Sequence, residues 1–255
     1  MKITLLGTGT SCGVPQIGCH CRVCTSQDPR DRRLRCSALF QEGDTNVLVD
    51  CGPDFRQQML GIGCDSHIDA LFVTHEHYDH VGGIDDLRPF SHEQPLTIHA
   101  DAYCCKHLRE RLPYCLVESK YPGVPQLKLR ELQAGEVVTV GNMSVTAVGV
   151  MHGHLPILGF RIGDVGYITD MTTMTDDNRR LLHGIRLLVV NALRHEPHPT
   201  HQTVEEAIAF SASVAPDLPT YLIHCSHHLG LHAEEDAKLP PHVHLAYDGL
   251  VLNVR

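Results

Sequence analysis

Short apolar runs recur along most of the chain and predict β-strands. Turn-forming residues such as Gly, Pro, Asp and Asn separate many of these runs, as they do between the strands of a sheet. The predicted strands cover residues 3–6, 38–41, 46–49, 70–73, 96–99, 137–140, 144–150, 158–162, 166–168, 187–191, 220–223, 243–246 and 250–254.

Helical patterns lie between some of these strands, at residues 53–60, 102–111, 176–183 and 203–214. The first begins with Pro53, a residue that is favoured in the first turn of a helix. Strands mixed with helices and tight turns predict sheets covered by helices. The chain shows no internal repeat or linker, so we expect a single α/β domain over residues 1–255.

The composition is ordinary for a soluble globular protein, with 42% hydrophobic residues. No apolar run approaches the ~18 residues that cross a bilayer, and the apolar start of the chain is too short for a secretory signal. We therefore expect a cytoplasmic protein with no membrane partner. In that compartment the eleven cysteines are thiols or metal ligands rather than disulfides.

Histidine is unusually frequent, with 20 His against six Phe and no Trp. Because histidine is the commonest metal ligand, this excess favours a metal-binding protein. The formal net charge of −9, with His neutral, argues against a nucleic-acid partner bound through its phosphates. A homodimer stays open, because nothing in the sequence fixes the oligomeric state.

The segment 74–80, Thr-His-Glu-His-Tyr-Asp-His, holds four metal-capable side chains directly after a predicted strand. If the extended backbone continues, His75 and His77 point to the same side and reach the same cation. A turn would then aim Asp79 and His80 at a neighbouring point. The spacing predicts two adjacent metals, and two metals suggest hydrolysis by an activated water.

Further metal-capable residues end three other predicted strands. The strand at 144–150 leads to His152 and His154, the strand at 166–168 leads to Asp170, and the strand at 220–223 leads to His224. A catalytic centre with two metals needs about six or seven ligands. These strand ends supply the missing ones, which predicts a site built along one rim of a sheet.

The motif at 74–80 resembles the T-H-x-H-x-D-H signature of the metallo-β-lactamase superfamily. The segment 48–52, Leu-Val-Asp-Cys-Gly, resembles a further motif of that superfamily, and the resemblance extends along the whole chain. Finer matches point to its PhnP-like phosphodiesterase branch. They are Gly-Thr-Gly-Thr at 7–10, Gly-Cys-His-Cys-Arg-Val-Cys at 18–24, His-Pro-Thr-His at 198–201, Ile-His-Cys-Ser-His at 223–227 and Tyr-Asp-Gly at 247–249.

The resemblance implies an αββα sandwich of two mixed β-sheets flanked by helices, with two divalent metals at one edge. One metal would be held by His75, His77 and His152, with His154 as the rival of His152. Asp79, His80 and His224 would hold the other metal, and Asp170 would bridge the two. A carboxylate bridge accepts manganese as well as zinc, so the sequence does not fix the metal.

A second metal site is predicted by Cys19, Cys21 and Cys24, which lie within six residues. Three thiolates and one imidazole form a common closed zinc site. The resemblance implies His227 as the fourth ligand of this structural zinc, with His20 and His228 as alternatives.

The expected reaction is attack on phosphorus by a hydroxide that bridges the two metals. In the PhnP-like branch a histidine faces the substrate, and His201 matches it; we expect it to protonate or stabilise the leaving group. Asp79 would act in catalysis as a metal ligand. Asp50 and Asp248 would either orient the ligand histidines or serve as turn residues.

The resulting hypothesis is a dinuclear phosphodiesterase that acts on a small substrate, with the cyclic ribose phosphates of PhnP-like proteins as one option. A tRNA 3′-processing endonuclease shares the ligand set but needs a basic substrate arm that this sequence lacks. A thioesterase of the glyoxalase II type would not need the cysteines at 19–24. A metal-binding protein without catalysis is the alternative from another class.

Overall fold

The computed structural model describes residues 1–63, 67–116 and 123–254, and the remaining parts of the predicted 1–255 domain lie outside them. The strands are Lys2–Gly7 (β1), Ser37–Glu42 (β2), Thr45–Val49 (β3), Ala70–Phe72 (β4), Leu96–Ala100 (β5), Leu127–Glu131 (β6), Val137–Val140 (β7), Met143–His152 (β8), Leu155–Ile162 (β9), Val165–Ile168 (β10), Leu187–Asn191 (β11), Thr220–Ile223 (β12), Val243–Leu245 (β13) and Leu250–Asn253 (β14).

Six α-helices lie within the same described ranges: Phe55–Gly61 (α1), Tyr78–Val81 (α2), Ala102–Arg111 (α3), Asp176–Arg180 (α4), Val204–Val214 (α5) and His232–Asp236 (α6). Short 3₁₀ segments cover Pro29–Asp31, Ile84–Phe90 and Pro113–Cys115. None of the described helices has the length and apolar character that a membrane crossing requires.

The strands form two seven-stranded sheets, in the orders β14-β1-β2-β3-β4-β5-β6 and β13-β12-β11-β10-β9-β8-β7. Strands β3 to β6 run parallel in the first sheet, and β10 to β13 run parallel in the second. The other neighbours are antiparallel, so both sheets are mixed. The carboxyl ends of parallel strands meet at one edge of a sheet, and this edge carries the site described below.

The apolar core lies in three layers. Between the sheets, Phe72 of β4 meets Phe160 of β9 with ring centroids 5.3 Å apart. Outside the first sheet, Phe55 of α1 and Leu108 of α3 are buried against its outer face. Outside the second sheet, Ala207 of α5 packs in the same way. The predicted αββα sandwich is therefore confirmed.

Each of the thirteen predicted strands overlaps an observed one, but β6 was missed. Strand β6 has only two apolar residues, which alternate with charged ones, because it is an edge strand and is largely exposed. The four predicted helices correspond to α1, α3, α4 and α5, while α2, with four residues, and α6, with five, were not predicted.

Candidate metal centre

The segment 74–80 leaves β4 in an extended conformation and then turns into a helix. His77 is the N-cap of α2, with φ −62° and ψ 145°, and the helix begins at Tyr78. His75 and His77 thus lie on the extended stretch, and Asp79 and His80 lie in the first turn of α2. This is the division into two pairs that the spacing predicted.

His75, His77 and His152 form the first ligand group, because their candidate ligand atoms lie within 4.8 Å of one another. His152 is the last residue of β8, and its Nδ1–H donates to the carbonyl oxygen of Thr200 at 2.9 Å. That hydrogen bond leaves Nε2 of His152 with a lone pair for a cation. The rival His154 is exposed and lies outside this group.

Asp79, His80, Asp170 and His224 form the second ligand group, with the same 4.8 Å limit between ligand atoms. His80 Nε2 lies 3.2 Å from Asp79 Oδ2, and His224 Nε2 lies 3.1 Å from Asp170 Oδ1. Except for Asp79, which is partly exposed, the members of this group are buried. Side chains from α2, from the end of β10 and from the end of β12 therefore converge on one point.

Asp170 connects the two ligand groups. Its Oδ1 faces His224, whereas its Oδ2 lies 3.8 Å from Nε2 of His75. Each oxygen of this one carboxylate thus faces a different ligand group. The two groups together are called the rim centre below.

Three residues in or next to the rim centre have a left-handed backbone within two residues of the end of a strand. The φ angles are 58° for Asp50, 55° for Asp170 and 58° for His224. A non-glycine residue rarely adopts this conformation, and such backbone strain is concentrated at functional sites. The conformation turns each side chain out of its strand.

Asp50 and Thr74 position two of the candidate ligands, His80 and His75, through hydrogen bonds. Asp50 Oδ2 accepts a hydrogen bond from Nδ1 of His80 at 2.7 Å, and Asp50 Oδ1 accepts one from the amide of Thr74 at 2.8 Å. The hydroxyl of Thr74 lies 3.0 Å from both Asp50 Oδ2 and Nδ1 of His75. Both ligand rings are therefore held with Nε2 towards the centre, as carboxylate–histidine pairs do in metal sites.

Of the two roles considered for Asp248, the structure places it in a turn, and it does not orient a ligand histidine. It accepts hydrogen bonds from the amide and hydroxyl of Thr8 and from the amide of Leu34. It therefore fixes two loops rather than a ligand histidine, because its partners all lie in residues 8–34.

The supporting contacts of two residues, Asn191 and Gly52, were not predicted from the sequence, although Gly52 belongs to the motif at 48–52. The side chain of Asn191 clamps the backbone of Met171, with 2.8 Å and 3.0 Å hydrogen bonds to its amide and carbonyl. Gly52 lies so close to segment 74–80 that a Cβ added at Gly52 would be 2.1 Å from the carbonyl oxygen of Asp79. Asn191 ends β11, and this position at a strand end is the only signal that could have marked it.

The charges at the rim centre suit divalent cations. Burial lowers the pKa of His75 well below its ordinary value, so the ring stays neutral, as a metal ligand must be. Although burial opposes it, the charge of His80 lowers the pKa of Asp79. The carboxylates of Asp79 and Asp170 in turn raise the pKa of His80 despite its burial, so this point favours positive charge.

The unpaired polar atoms also fit bound metal. Four buried ring nitrogens at this site have no hydrogen-bond partner among the described residues: Nε2 of His80, Nδ1 of His201 and both nitrogens of His224. Buried polar atoms are rarely left unsatisfied, because desolvation without a partner is costly. Nitrogens that face carboxylate oxygens without hydrogen-bond geometry fit ligands of a shared cation.

His201 lies above the rim centre at the start of α5. Its ring stacks on His224 with centroids 4.7 Å apart, and its Nδ1 lies 4.0 Å from Asp170 Oδ2. A capping box at Thr203 fixes the start of α5 and therefore the position of His201. His152, Asp170 and His201 also form a group within 4.8 Å, which makes His201 an alternative ligand.

Cys19, Cys21, Cys24 and His227 form a separate cluster, called the cysteine cluster below. The three sulfur atoms lie 3.3, 3.4 and 3.5 Å from Nδ1 of His227. A tetrahedral zinc with Zn–S of ~2.3 Å and Zn–N of ~2.0–2.1 Å has a sulfur–nitrogen edge of about 3.6 Å. The four side chains therefore fit zinc, whereas the alternatives His20 and His228 are exposed and outside the cluster.

Residues 45–225 match the family model described as the beta-lactamase superfamily domain, so the chain belongs to that superfamily. Within it, the chain belongs to the PhnP-like branch. It is 36% identical to a solved structure described as a new diphosphatase from the PhnP family. That match has a TM-score of 0.91 and covers 100% of this chain and 98% of the other.

Two further similarities were found. A curated protein of Porphyromonas gingivalis W83 named octanoyltransferase is 45% identical over 98% of this chain. The match covers 51% of that relative, so the chain spans about half of its length. The Zn²⁺-bound PqqB of Methylobacterium extorquens has a TM-score of 0.81 at 21% identity, with 100% of both chains covered, and shares the fold.

Proposed function

We propose that this chain is a metal-dependent phosphodiesterase that acts on a small phosphodiester. The carrying observation is the position of Asp170, whose two oxygens face separate groups of imidazoles and carboxylates. Such an arrangement suits two neighbouring divalent cations. Membership of the PhnP-like branch supports the assignment to hydrolysis at phosphorus.

Two divalent cations, when bound, would lower the pKa of a water molecule and stabilise negative charge on phosphoryl oxygens. The chain's own residues supply position and charge. His75, His77 and His152 would hold one cation, and Asp79, His80 and His224 the other. Asp170 would contact both, while Asp50 keeps the ring of His80 oriented through its 2.7 Å hydrogen bond.

We propose that His201 contacts the leaving group of the substrate. Its ring lies between those of His152 and His224, with centroids 4.8 and 4.7 Å away. His198 packs against its other side at 5.0 Å. This packing restricts the ring to one position above Asp170, where it would face a bound phosphoryl group.

The ligand chemistry narrows the choice of metal. The rim centre offers five imidazoles and two carboxylates, and no thiolate belongs to either ligand group. Imidazole and carboxylate suit both zinc and manganese, whereas the thiolates of the cysteine cluster suit zinc. We propose two catalytic zinc or manganese ions and one structural zinc.

Hydrolysis of a diphosphate is the second candidate. The 36% identical relative is described as a diphosphatase, and both reactions break a P–O bond at a phosphoryl centre. The name octanoyltransferase supports neither reaction, because the match covers only half of that protein. Acyl transfer through a covalent intermediate needs an accessible nucleophile, but Cys36, Cys51 and Cys225, three thiols near the rim centre, are buried.

A substrate panel tests the proposal. Protein stripped with a chelator and reloaded with zinc or manganese is assayed on bis(p-nitrophenyl) phosphate, ADP-ribose, S-lactoylglutathione and a tRNA precursor with a 3′ extension. Hydrolysis of the phosphodiester that depends on metal supports the proposal, and preferred cleavage of ADP-ribose favours the diphosphatase. Metal binding without turnover of any ester would instead indicate a non-catalytic metal-binding protein.

A further inference from the structure

The loop that carries His201 is closed at its base by the backbone. The amide of Leu193 donates to the carbonyl oxygen of Gln202 at 3.0 Å. Residues 194–201 therefore form a loop between the end of β11 and the start of α5, called the His201 loop below. At its far end the ring of His201 stacks on His224 of the rim centre, with centroids 4.7 Å apart.

His195, in the same loop, contacts a carboxylate with each of its two ring nitrogens. Its Nδ1 lies 2.9 Å from Oε1 of Glu205 in the first turn of α5, and its Nε2 lies 3.0 Å from Oε2 of Glu235 in α6. A neutral imidazole has one N–H and donates one hydrogen bond, whereas an imidazolium donates two. Hydrogen bonds to two ionised carboxylates therefore require the imidazolium form of His195.

The charges around His195 favour this form. Although burial opposes it, the hydrogen bond from His195 lowers the pKa of Glu205, and those from Lys238 and His195 lower the pKa of Glu235. The hydrogen bonds to Glu205 and Glu235 raise the pKa of His195 above its ordinary value of 6.5. Lys238, just after α6, faces Glu235 at 2.7 Å, and Arg194 of the loop itself donates to backbone carbonyl oxygens. Both carboxylates are therefore ionised when the ring is protonated.

The two contacts hold the segment that contains His201. His195 precedes His201 in the chain and Glu205 follows it, so their hydrogen bond joins the two ends of this segment. Glu235 ties the segment to α6, and its carboxylate is packed so closely that a Cβ added at Gly230 would lie 2.5 Å from its Oε1. Because a neutral ring can donate to only one carboxylate, loss of the proton would leave the loop tied to one helix.

We propose that His195 is a positioning residue whose imidazolium ties the His201 loop to α5 and α6 and so keeps His201 at the rim centre. The inference rests on the proposed function, because it assumes that His201 contacts the leaving group. Since folding raises the pKa of His195, the contact is complete below pH 6.5 and is lost as the pH rises through the raised value. Turnover should then fall by about threefold or more at alkaline pH, because a displaced catalytic group reacts more slowly.

Nuclear magnetic resonance tests the contact without turnover. The ring nitrogens of His195 in zinc-loaded protein, assigned by their loss in His195→Arg, are followed from acid to alkaline pH. We expect the ring to lose its proton above pH 6.5. Glu205→Gln and Glu235→Gln should each lower the pH of this step, because each removes one of the two negative charges. A ring that titrates at or below pH 6.5 in the unaltered protein would overturn the proposal.

The pH profile of turnover distinguishes positioning from a general role in folding. The guanidinium in His195→Arg stays charged at all these pH values, so kcat should not show the alkaline fall of the unaltered protein. His183→Arg makes the same change at an exposed histidine after α4 and should keep the unaltered profile. Identical profiles for His195→Arg and the unaltered protein would contradict the proposal.

Hydrogen exchange separates this inference from the proposed function. Amide exchange of the His201 loop is compared at pH 6.5 between the unaltered protein and His195→Leu, which has no donor for either carboxylate. Faster exchange and lower kcat in the variant support both assignments. Equal kcat or equal exchange overturns the positioning role and leaves the phosphodiesterase standing. Faster exchange in the variant, without hydrolysis of any phosphodiester by the unaltered protein, overturns the phosphodiesterase and keeps the contact of His195.

Discussion

The rim centre and the cysteine cluster collect metal-binding side chains in opposite ways. The rim centre draws its candidate ligands from the ends of β4, β8, β10 and β12, and five of the seven are buried. The cysteine cluster takes three ligands from one six-residue stretch of a partly exposed loop and adds His227. One site therefore depends on the packing of two sheets, whereas the other depends mainly on local sequence.

This difference indicates that the two sites have different roles, one catalytic and one structural. A closed set of four ligands saturates zinc and contributes to folding, while catalytic metals keep an open position for water or substrate. At the rim centre the carboxylate of Asp170 faces both ligand groups, so the two groups form one shared centre rather than a separate set of four ligands around a single ion. We expect changes at the rim centre to abolish turnover and changes at the cysteine cluster to lower stability.

Asp170→Asn should give the largest effect. The amide removes the charge that both ligand groups share, so we expect kcat to fall by about 10²–10³-fold or more, the scale of losing one preorganised electrostatic group. Metal content should fall at the rim centre while one zinc per chain remains at the cysteine cluster. Elemental analysis together with phosphodiester turnover measures both quantities.

Asp217→Asn is the matched control for this change. Asp217 has a similar left-handed φ of 51° but lies exposed in a turn, and asparagine tolerates that conformation as aspartate does. The control should keep full activity and metal content. If Asp170→Asn retained both metals and wild-type turnover, a shared carboxylate could not be the basis of the site.

His201→Ala should give the next largest effect and tests whether this residue belongs to the chemistry or to the ligand set. As a leaving-group contact, it should lower kcat by about 10²-fold, the lower end of general acid–base contributions, while metal content stays unchanged. The control His154→Ala removes an exposed histidine of the same region and should be neutral. Equal loss of metal and activity would make His201 a ligand instead.

The comparison also shows what the sequence can and cannot predict. The candidate rim ligands could be predicted from residue type, because a polar His or Asp after an apolar strand is easily recognised in the sequence. The close approach of Gly52 to Asp79 and the clamp of Asn191 on Met171 were not predictable, because they join segments 20 or more residues apart.

Gly52→Ala tests how strongly the rim centre depends on that packing. The new Cβ would lie 2.1 Å from the carbonyl oxygen of Asp79, so the backbone of α2 must move. We expect a cost of about 1–3 kcal/mol in the free energy of unfolding, as for other overpacked sites, and weaker metal binding by Asp79 and His80. Gly61→Ala, where a Cβ meets nothing within 4 Å, is the control. Metal affinity that is unchanged in Gly52→Ala would show that the rim tolerates displacement of α2.

Cys21→Ser should have the smallest effect on turnover and a clear effect on stability. Removing one of the four ligands opens the closed set, and we expect loss of one zinc per chain. A cost of about 2–3 kcal/mol would lower Tm by roughly 4–12 °C for a chain of this size. The catalytic rate should change by less than about threefold, because none of the rim ligands belongs to the cysteine cluster.

Cys12→Ser separates loss of zinc from loss of any thiol in this loop. Cys12 is exposed in the same N-terminal region and lies outside the cysteine cluster, so zinc content and Tm should match the unaltered protein. Cys21 is informative because it shares the cysteine cluster with His227. His227 lies three residues after His224, a candidate ligand at the rim centre. A loss of turnover in Cys21→Ser as large as that in Asp170→Asn would mean that the cluster holds the end of β12 in place, and that the two sites work as one.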